Sequence, residues 1–394
     1  MSKREVWIVG AARTAIGSFG GTLKDTPMSE LAVTSVRAAM QRAGVEPAQV
    51  GHLVMGNVIP TEPRDAYISR VAAIEAGIPK ETPAFNVNRL CGSGLQAIVS
   101  AAQAILLGDC EVAVGAGVES MSRGPYLMPS GRWGARLGDT TMVDYMSGIL
   151  HDPFQKIHMG VTAENVAAAY GISREMQDEL AVESQKRAAR AIAEGRFATQ
   201  IVQVEVKTRK GPVAFALDEN VRGDSSVEAL AKMKPVFKAG GSVTAGNASS
   251  LNDGAAAVVL AEAAYARSKG LKPLARLVSY AHAGVEPSQM GIGPVPATRM
   301  ALAKAGLTVK DLAVIEANEA FAAQACAVSR ELDFDPAKVN PNGSGISLGH
   351  PVGATGAIIT TKALYELERV GGRYALATMC IGGGQGIAAI FERA

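Results

Sequence analysis

The chain predicts a layered α/β fold made of two similar halves, and three observations carry that expectation. Gly-rich turns separate short β-rich runs from Ala-rich helical runs, an alternation that packs as sheets covered by helices. The order extended run, Gly-rich turn, helix, buried strand occurs near residues 84–117, and its Gly-rich turn, helix and strand recur at 340–379. Residues 121–244 break the pattern: they hold most of the Met, Arg and Lys clusters and read as an inserted lid or loop domain.

Taken in order, the strand-like Val6–Val9 leads to a first helix over 29–43, with Ser29 as its N-cap. The extended run 84–88 precedes Arg89-Leu90-Cys91-Gly92-Ser93-Gly94. Leu95, Ile98, Val99, Ala102, Ile105 and Leu106 then recur at helical spacing, and Gly108 suits the stop. Residues 111–117 read as a buried strand. Two amphipathic helices around 162–194 and a polar strand-like stretch at 201–209 belong to the insertion. In the second half the Gly-rich lead-in 340–350 ends at His350. A helix from about 353 to 367 follows, and then a strand over 374–379 that leads into Cys380. The expected division is 1–120, completed by about 245–270, then the insertion 121–244, then 271–394.

Composition narrows the function classes. Apolar residues make up 48% of 394 and charged residues 19%, which is too apolar for disorder. Lys and Arg number 39 against 37 acids, with no long basic block, so nucleic acid is not expected as a partner. Apolar runs such as 255–261 are too short to span a bilayer. Residues Met1–Glu5 lack a signal-peptide pattern and the last residues are no peroxisomal address, so a cytoplasmic location is expected. Cys91, Cys110, Cys326 and Cys380 show no metal-type spacing, so reduced thiols and no metal are expected.

Cys91 stands between an extended run and a helix start. Free amides and the positive dipole end there favour a thiolate, so a lowered pKa is expected, and the same amides suit a thioester oxyanion. Cys380 ends a buried strand before Ile381-Gly382-Gly383-Gly384-Gln385-Gly386, whose glycines let a ligand approach the backbone. Cys110 and Cys326 have no Gly-rich loop and read as structural. His350 stands before Pro351 at a helix start, and histidine is the natural proton shuttle for a thiol. His158, in Ile157-His158-Met159-Gly160, gives a weaker signal. Gly345-Ile346-Ser347-Leu348-Gly349 matches the hydrolase elbow G-x-S-x-G. That motif needs an acid and a histidine later in the chain; only His350 lies behind it, just past the motif, and no histidine follows.

Four blocks together resemble the thiolase family over essentially the whole length. They are Asn88–Ala97 around Cys91, Glu316-Ala317-Asn318-Glu319-Ala320-Phe321-Ala322, Asn342–Gly356 around His350, and Met379–Gly386 around Cys380. His158-Met159-Gly160 resembles the biosynthetic acetyl-CoA acetyltransferase branch. The wording of the blocks is similar to broad-range bacterial β-ketothiolases that supply polyhydroxyalkanoate synthesis. The resemblance implies a five-layered αβαβα fold of two similar halves with an inserted loop domain, assembled as a homotetramer.

It also implies roles. Cys91 carries the acyl group, and His350 takes its proton and then helps bind the incoming thioester oxygen. Asn318 holds a water at that oxyanion site. Cys380 moves the proton on the α-carbon of the second acyl-CoA. Backbone amides of Cys91 and Gly382 bind the acyl-enzyme oxygen. Contacts to CoA fall to Leu150, His158, Met159, Arg222, Phe237, Ala245, Ala248, Ser249, Ala320 and Phe321. Arg222 and the lysines 232, 234 and 238 suit the CoA phosphates. Acyl-CoA and CoA are the implied partners, with no resident cofactor. Ser344 and Ser250 stand where the family usually has glycine, which bears on loop shape and acyl preference.

Acyl transfer between thiols suits a cysteine, because a thioester replaces a thioester. Making a carbon nucleophile of acetyl-CoA needs a base and an oxyanion site. The nearest alternative is a ketoacyl-synthase-like enzyme, which pairs its cysteine with two histidines where this chain offers His350 and Cys380. A non-catalytic lipid carrier would need none of the three in Gly-rich blocks.

Overall fold

The computed structural model describes residues 4–209 and 211–394. The reading of Met1–Lys3 as free of a leader lies outside the described residues.

In chain order the elements that build the site are strand β1 (Val6–Thr14), helix α1 (Met28–Ala43), β2 (His52–Gly56), β3 (Ala84–Val87), α2 (Ser93–Leu107) and β4 (Val112–Ser120). The helices α3 (Met159–Tyr170) and α4 (Arg174–Ala193) follow, then β5 (Asn252–Glu262). The second half holds β6 (Ala275–Gly284), α5 (Pro294–Ala305), β7 (Leu312–Ala317), α6 (Ala322–Glu331), α7 (Val352–Arg369), β8 (Tyr374–Ile381) and β9 (Gln385–Arg393). Ser29 is not a cap. The helix starts one residue earlier, after Pro27, and Ser29 is buried in its first turn. Proline's fixed φ and missing N–H make it a natural boundary there.

The main sheet runs in the order β7-β8-β9-β6-β1-β5-β4-β2-β3. Strand order and direction repeat between its halves. β2 and β4 are parallel, and β4, β5 and β1 are successively antiparallel. β7 and β8 are parallel, and β8, β9 and β6 are successively antiparallel. Among the described residues the halves join through two residue pairs, Trp7 with Arg276 and Ile8 with Ala275. The sheet therefore folds back there, and α2 and α7 lie between its two halves. β4 is buried along its whole length and β5 at every residue but the last; 112–118 and 254–261 are small apolar runs, and the polar Glu119, Ser120, Asn252 and Asp253 lie at the site end. α7 is buried on nearly all sides, its polar Thr355, Thr360, Thr361 and Lys362 included.

Two features hold the central layer. Gly94 sits in the first turn of α2 against the backbone of α7. A methyl group there would come 2.7 Å from Ala357 N and 3.0 Å from Gly353 O. Lys362, inside α7, pairs with Glu316 on β7 at 2.6 Å and donates to Gly343 O at 2.5 Å, with both side chains inaccessible. Burial raises the Glu316 carboxyl to about 7 against the opposing pull of Lys362. A second buried pair, Arg13 with Asp218, is bidentate at 2.8 and 2.9 Å and ties β1 to the segment that precedes β5.

Candidate active site

Cys91 lies on a strained turn between β3 and α2. Leu90 adopts φ +45°, a region uncommon for a residue with a side chain. Local bonds hold it there: Asn88 Oδ1 accepts from Leu90 N, and Ser93 Oγ accepts from Arg89 N while donating to Leu90 O. Two backbone amides, those of Gly382 and of Cys91 itself, favour the thiolate there. The thiol pKa is nevertheless raised, to about 11, contrary to the sequence expectation. The cause is burial, which outweighs both amides, with the buried carboxylate of Glu119 adding to it. The helix also begins at Ser93, so Cys91 precedes it rather than sitting in its first turn. Glu119, at the end of β4, accepts from Asn57 Nδ2, Ile59 N, Val58 N and Gly353 N, and so pins the start of α7 beside the cysteine.

His350 ends the Gly-rich lead-in to α7. Its backbone N–H donates to Asn252 Oδ1 at 2.8 Å, and Asn252 Nδ2 donates in turn to Gly17 O. Gly349 is required beside it. Its φ is +115°, and a methyl group there would lie 2.5 Å from the Asn252 amide carbon. The ring is buried, with Nδ1 2.7 Å from Thr355 Oγ1, and burial pushes the imidazole down to about 4. Asn318 Nδ2 stands 3.5 Å from both ring nitrogens, and Asn318 Oδ1 is buried with no protein partner. Cys380 belongs to β8 rather than following it, because the strand extends to Ile381. Its thiol is fully buried, and burial and the neighbouring Cys91 raise its pKa strongly.

One cavity of about 420 Å³ brings these groups together. Cys91, His350, Cys380 and Gly382 line it. So do Leu150, His158, Met159, Phe237, Ala245, Ala248, Ser249, Ala320 and Phe321, the expected CoA contacts other than Arg222. His158 caps α3, its Nδ1 accepting from Gly160 N, and its ring stacks on Phe237 with centroids 4.6 Å apart. Burial, and then His151, lower its pKa. Arg222 is exposed and off the cavity wall, as are the lysines 232, 234 and 238, although Val236 and Phe237 between them do line it. Asn318 stands behind His350 rather than on the wall.

Sequence reasoning missed Met121, Met146, Ser250, Leu251, Met290 and Val352 on the same wall. Of these, Val352 lies in the block around His350 and Ser250 had drawn notice as a departure from glycine; the Ser250 hydroxyl donates to Asn252 Oδ1. Glu119, Asn252 and Thr355 gave no signal, because each acts through tertiary contacts. Ser347 is no nucleophile. Its hydroxyl is buried, and its hydrogen bonds go to Ser184 Oγ and the backbone of Ser344. Cys110 and Cys326, raised by burial to about 11 and about 12, lie outside this cavity. Ser344 Oγ is buried without a partner. Among the described residues no group of three His, Cys, Asp or Glu side chains is placed to hold a metal ion.

A strained cysteine turn, a histidine and a second cysteine, contributed by the two halves of a repeated fold, define an acyl-transfer site. The chain belongs to the thiolase family and is an acyl-CoA C-acyltransferase: the thiolase N-terminal domain family matches residues 6–264 and the thiolase C-terminal domain family matches 271–393. It is 67% identical over 391 residues to the β-ketothiolase BktB of Cupriavidus necator, covering 99% of each chain. It is 51% identical over 391 residues to an acetyl-CoA acetyltransferase of Chromobacterium violaceum, covering 99% of this chain and 100% of that one. The crystal structure of human mitochondrial 3-ketoacyl-CoA thiolase in complex with CoA superposes with a TM-score of 0.96 at 44% identity, covering 99% and 98% of the two chains.

Proposed function

We propose that this enzyme is a β-ketothiolase, acting on acetyl-CoA and on somewhat longer acyl-CoA substrates, with Cys91 as the acyl carrier. One observation carries the reading: Cys91, His350, Cys380 and Gly382 line one and the same cavity. Cys91 Sγ attacks the thioester carbonyl while His350 takes the thiol proton. The carbonyl oxygen becomes an oxyanion between the two amides, and its collapse expels CoA, which leaves as the thiol. Cys380, as the thiolate, then takes a proton from the α-carbon of the second acyl-CoA and passes it to the Cys91 sulfur once that sulfur is released. That substrate's thioester oxygen is held by His350 and by a water on Asn318. The new carbanion attacks the Cys91 thioester, so a carbon–carbon bond forms and the sulfur–acyl bond breaks. Thiolysis is the same path reversed.

The apolar wall next to Cys91, built from Met121, Met146, Leu251 and Val352, supports acceptance of chains longer than acetyl. Residues 121–244 act as the lid domain. They supply the Met146, Leu150, His158 and Phe237 side of the cavity, and within them only the short strand Ile201–Val202 joins the main sheet. The pantetheine arm runs over the stacked His158 and Phe237, and Arg222 meets the phosphates outside. We further place the enzyme in the cytoplasm as a homotetramer. The four cysteines are unpaired. The helix apolar enough to cross a bilayer, Leu90–Leu107, is mostly buried in the fold. Tyr126, Trp133, Leu137 and Met142 are exposed on one segment, and so large an apolar display marks an association surface.

The test is acetoacetyl-CoA plus free CoA, followed by acetyl-CoA formation and by mass mapping of the acyl thioester. Label on any cysteine other than Cys91, with Cys91 free, would sink the proposal. Thiolysis rates across 3-ketoacyl-CoA substrates of rising length read the acyl range. Light scattering reads the assembly.

A further inference from the structure

We infer that Thr355 is a positioning residue that holds His350 in its Nδ1–H tautomer and so reserves Nε2 as the basic nitrogen. The inference deepens the reading of His350 as the base for Cys91 and rests on it.

The argument follows the protons. Thr355 Oγ1 has two close neighbours, Pro351 O at 2.9 Å and His350 Nδ1 at 2.7 Å. A threonine hydroxyl has one proton and two lone pairs. A carbonyl can only accept, and two oxygens 2.9 Å apart with no proton between them repel. The hydroxyl proton therefore lies toward Pro351 O, the back-bond to the residue four earlier that helical threonines commonly make. Oγ1 then presents a lone pair to Nδ1, and the bond forms only if Nδ1 carries hydrogen. A neutral imidazole has one N–H, so Nε2 is left unprotonated. Burial keeps the ring neutral near pH 7. The remaining polar neighbour, Asn318 Nδ2, is itself a donor and does not claim the ring proton.

The surroundings leave the threonine little freedom. Thr355 is buried in the first turns of α7, so its hydroxyl direction is set by the helix backbone. The ring's main chain is fixed separately through Asn252 Oδ1. His350 is thus held at two points, backbone and Nδ1, with the ring axis between them. In the base role a proton must arrive on Nε2, and imidazolium formation then strengthens the bond from Nδ1 to Oγ1, since charge-assisted hydrogen bonds are the stronger ones.

The experiment pairs three variants with one spectrum. Rapid-quench measurement of Cys91 acetylation from acetyl-CoA is made on the wild type, Thr355→Val, Thr355→Ser and Cys91→Ala. Long-range proton–nitrogen NMR of ¹⁵N-histidine enzyme, with His350 assigned by its substitution, reads the tautomer. The expected spectrum shows Nδ1 protonated in the wild type. Thr355→Val is expected to lose about 10²-fold in acylation rate, the low end of general acid–base contributions, with little change in the KM for acetyl-CoA. Thr355→Ser is expected to restore the rate to within a few-fold. Nε2 protonated in the wild type overturns the inference, and that spectrum decides the matter even where Thr355→Val does not fold. A folded Thr355→Val with wild-type acylation also overturns it, while leaving the site reading intact so long as Cys91→Ala is inactive. Acylation or thiolysis surviving in Cys91→Ala would instead bring down the site reading itself.

Discussion

Gly94→Ala tests whether backbone contact between the two central helices sets the catalytic geometry. The added methyl would stand 2.7 Å from Ala357 N, with Gly353 O and Ala354 O at 3.0 and 3.1 Å. Ordinary contact begins near 3.4 Å, and all three obstacles are backbone, so no side-chain rotation relieves them. α2 and α7 must therefore separate by about 0.7 Å, the difference between those distances. Gly94 is three residues from Cys91, and Gly353 three from His350, so most of that shift reaches the reacting pair. A misplacement of about 1 Å can cost ~10²-fold in rate, so the expected loss in kcat for acetoacetyl-CoA thiolysis is about 10- to 100-fold. Overpacking adds a stability loss of about 1–3 kcal/mol, read from urea unfolding. Leu107→Ala, at the exposed far end of the same helix, serves as the control and should change neither. Wild-type kcat and an unmoved urea midpoint in Gly94→Ala would refute the reasoning.

Three further outcomes follow from the same geometry. Cys380→Ser keeps the size of a fully buried group but is a far poorer base, so it should lose condensation and thiolysis by ~10²–10⁴-fold and still accept acetyl on Cys91; a folded variant that takes up no radiolabelled acetyl group contradicts that division of labour. Arg222→Ala should raise the apparent KM for CoA substrates more than it lowers kcat, since the side chain lies outside the cavity, and an unchanged KM counts against a phosphate contact. His350, neutral down to about pH 4 in the fold and near 6.5 when unfolded, makes the unfolded chain bind the extra proton in that window. Stability should therefore rise with pH from about 4 to 6.5, and the urea-midpoint gap between about pH 5 and 7 should shrink in His350→Gln; a gap left whole would assign the effect elsewhere, His282 being depressed in the same direction.

The layered fold and the residues of the cavity were largely legible in the sequence, because they depend on local patterns. Glycine-bounded alternation announced the strands and helices, and Gly-rich blocks around Cys91, His350 and Cys380 announced the places where backbone meets substrate. What stayed hidden depends on the distant chain. The pKa of Cys91 is governed by burial among residues distant in the chain, such as Val58, Met121, Met146 and Val352, so a rule about helix ends gave the wrong sign. Glu119 reads as one more residue of an apolar strand, yet its four N–H donors come from residues 57–59 and from Gly353. Asn252 lies about a hundred positions from the histidine it holds. Thr355 is close in sequence to His350, but an ordinary helical threonine gives no hint of where its lone pair points.

The repeated halves carry a consequence for how such a site can arise. Cys91 precedes the central helix of one half and His350 precedes the matching helix of the other. Two separate copies of one half, paired about a twofold axis, would present the same residue at both positions, because an isologous contact repeats each side chain. Joining the halves in a single chain frees the two positions to diverge. Fusion in a single chain thus lets a thiol precede one of two matching helices and an imidazole the other, both on the wall of one cavity.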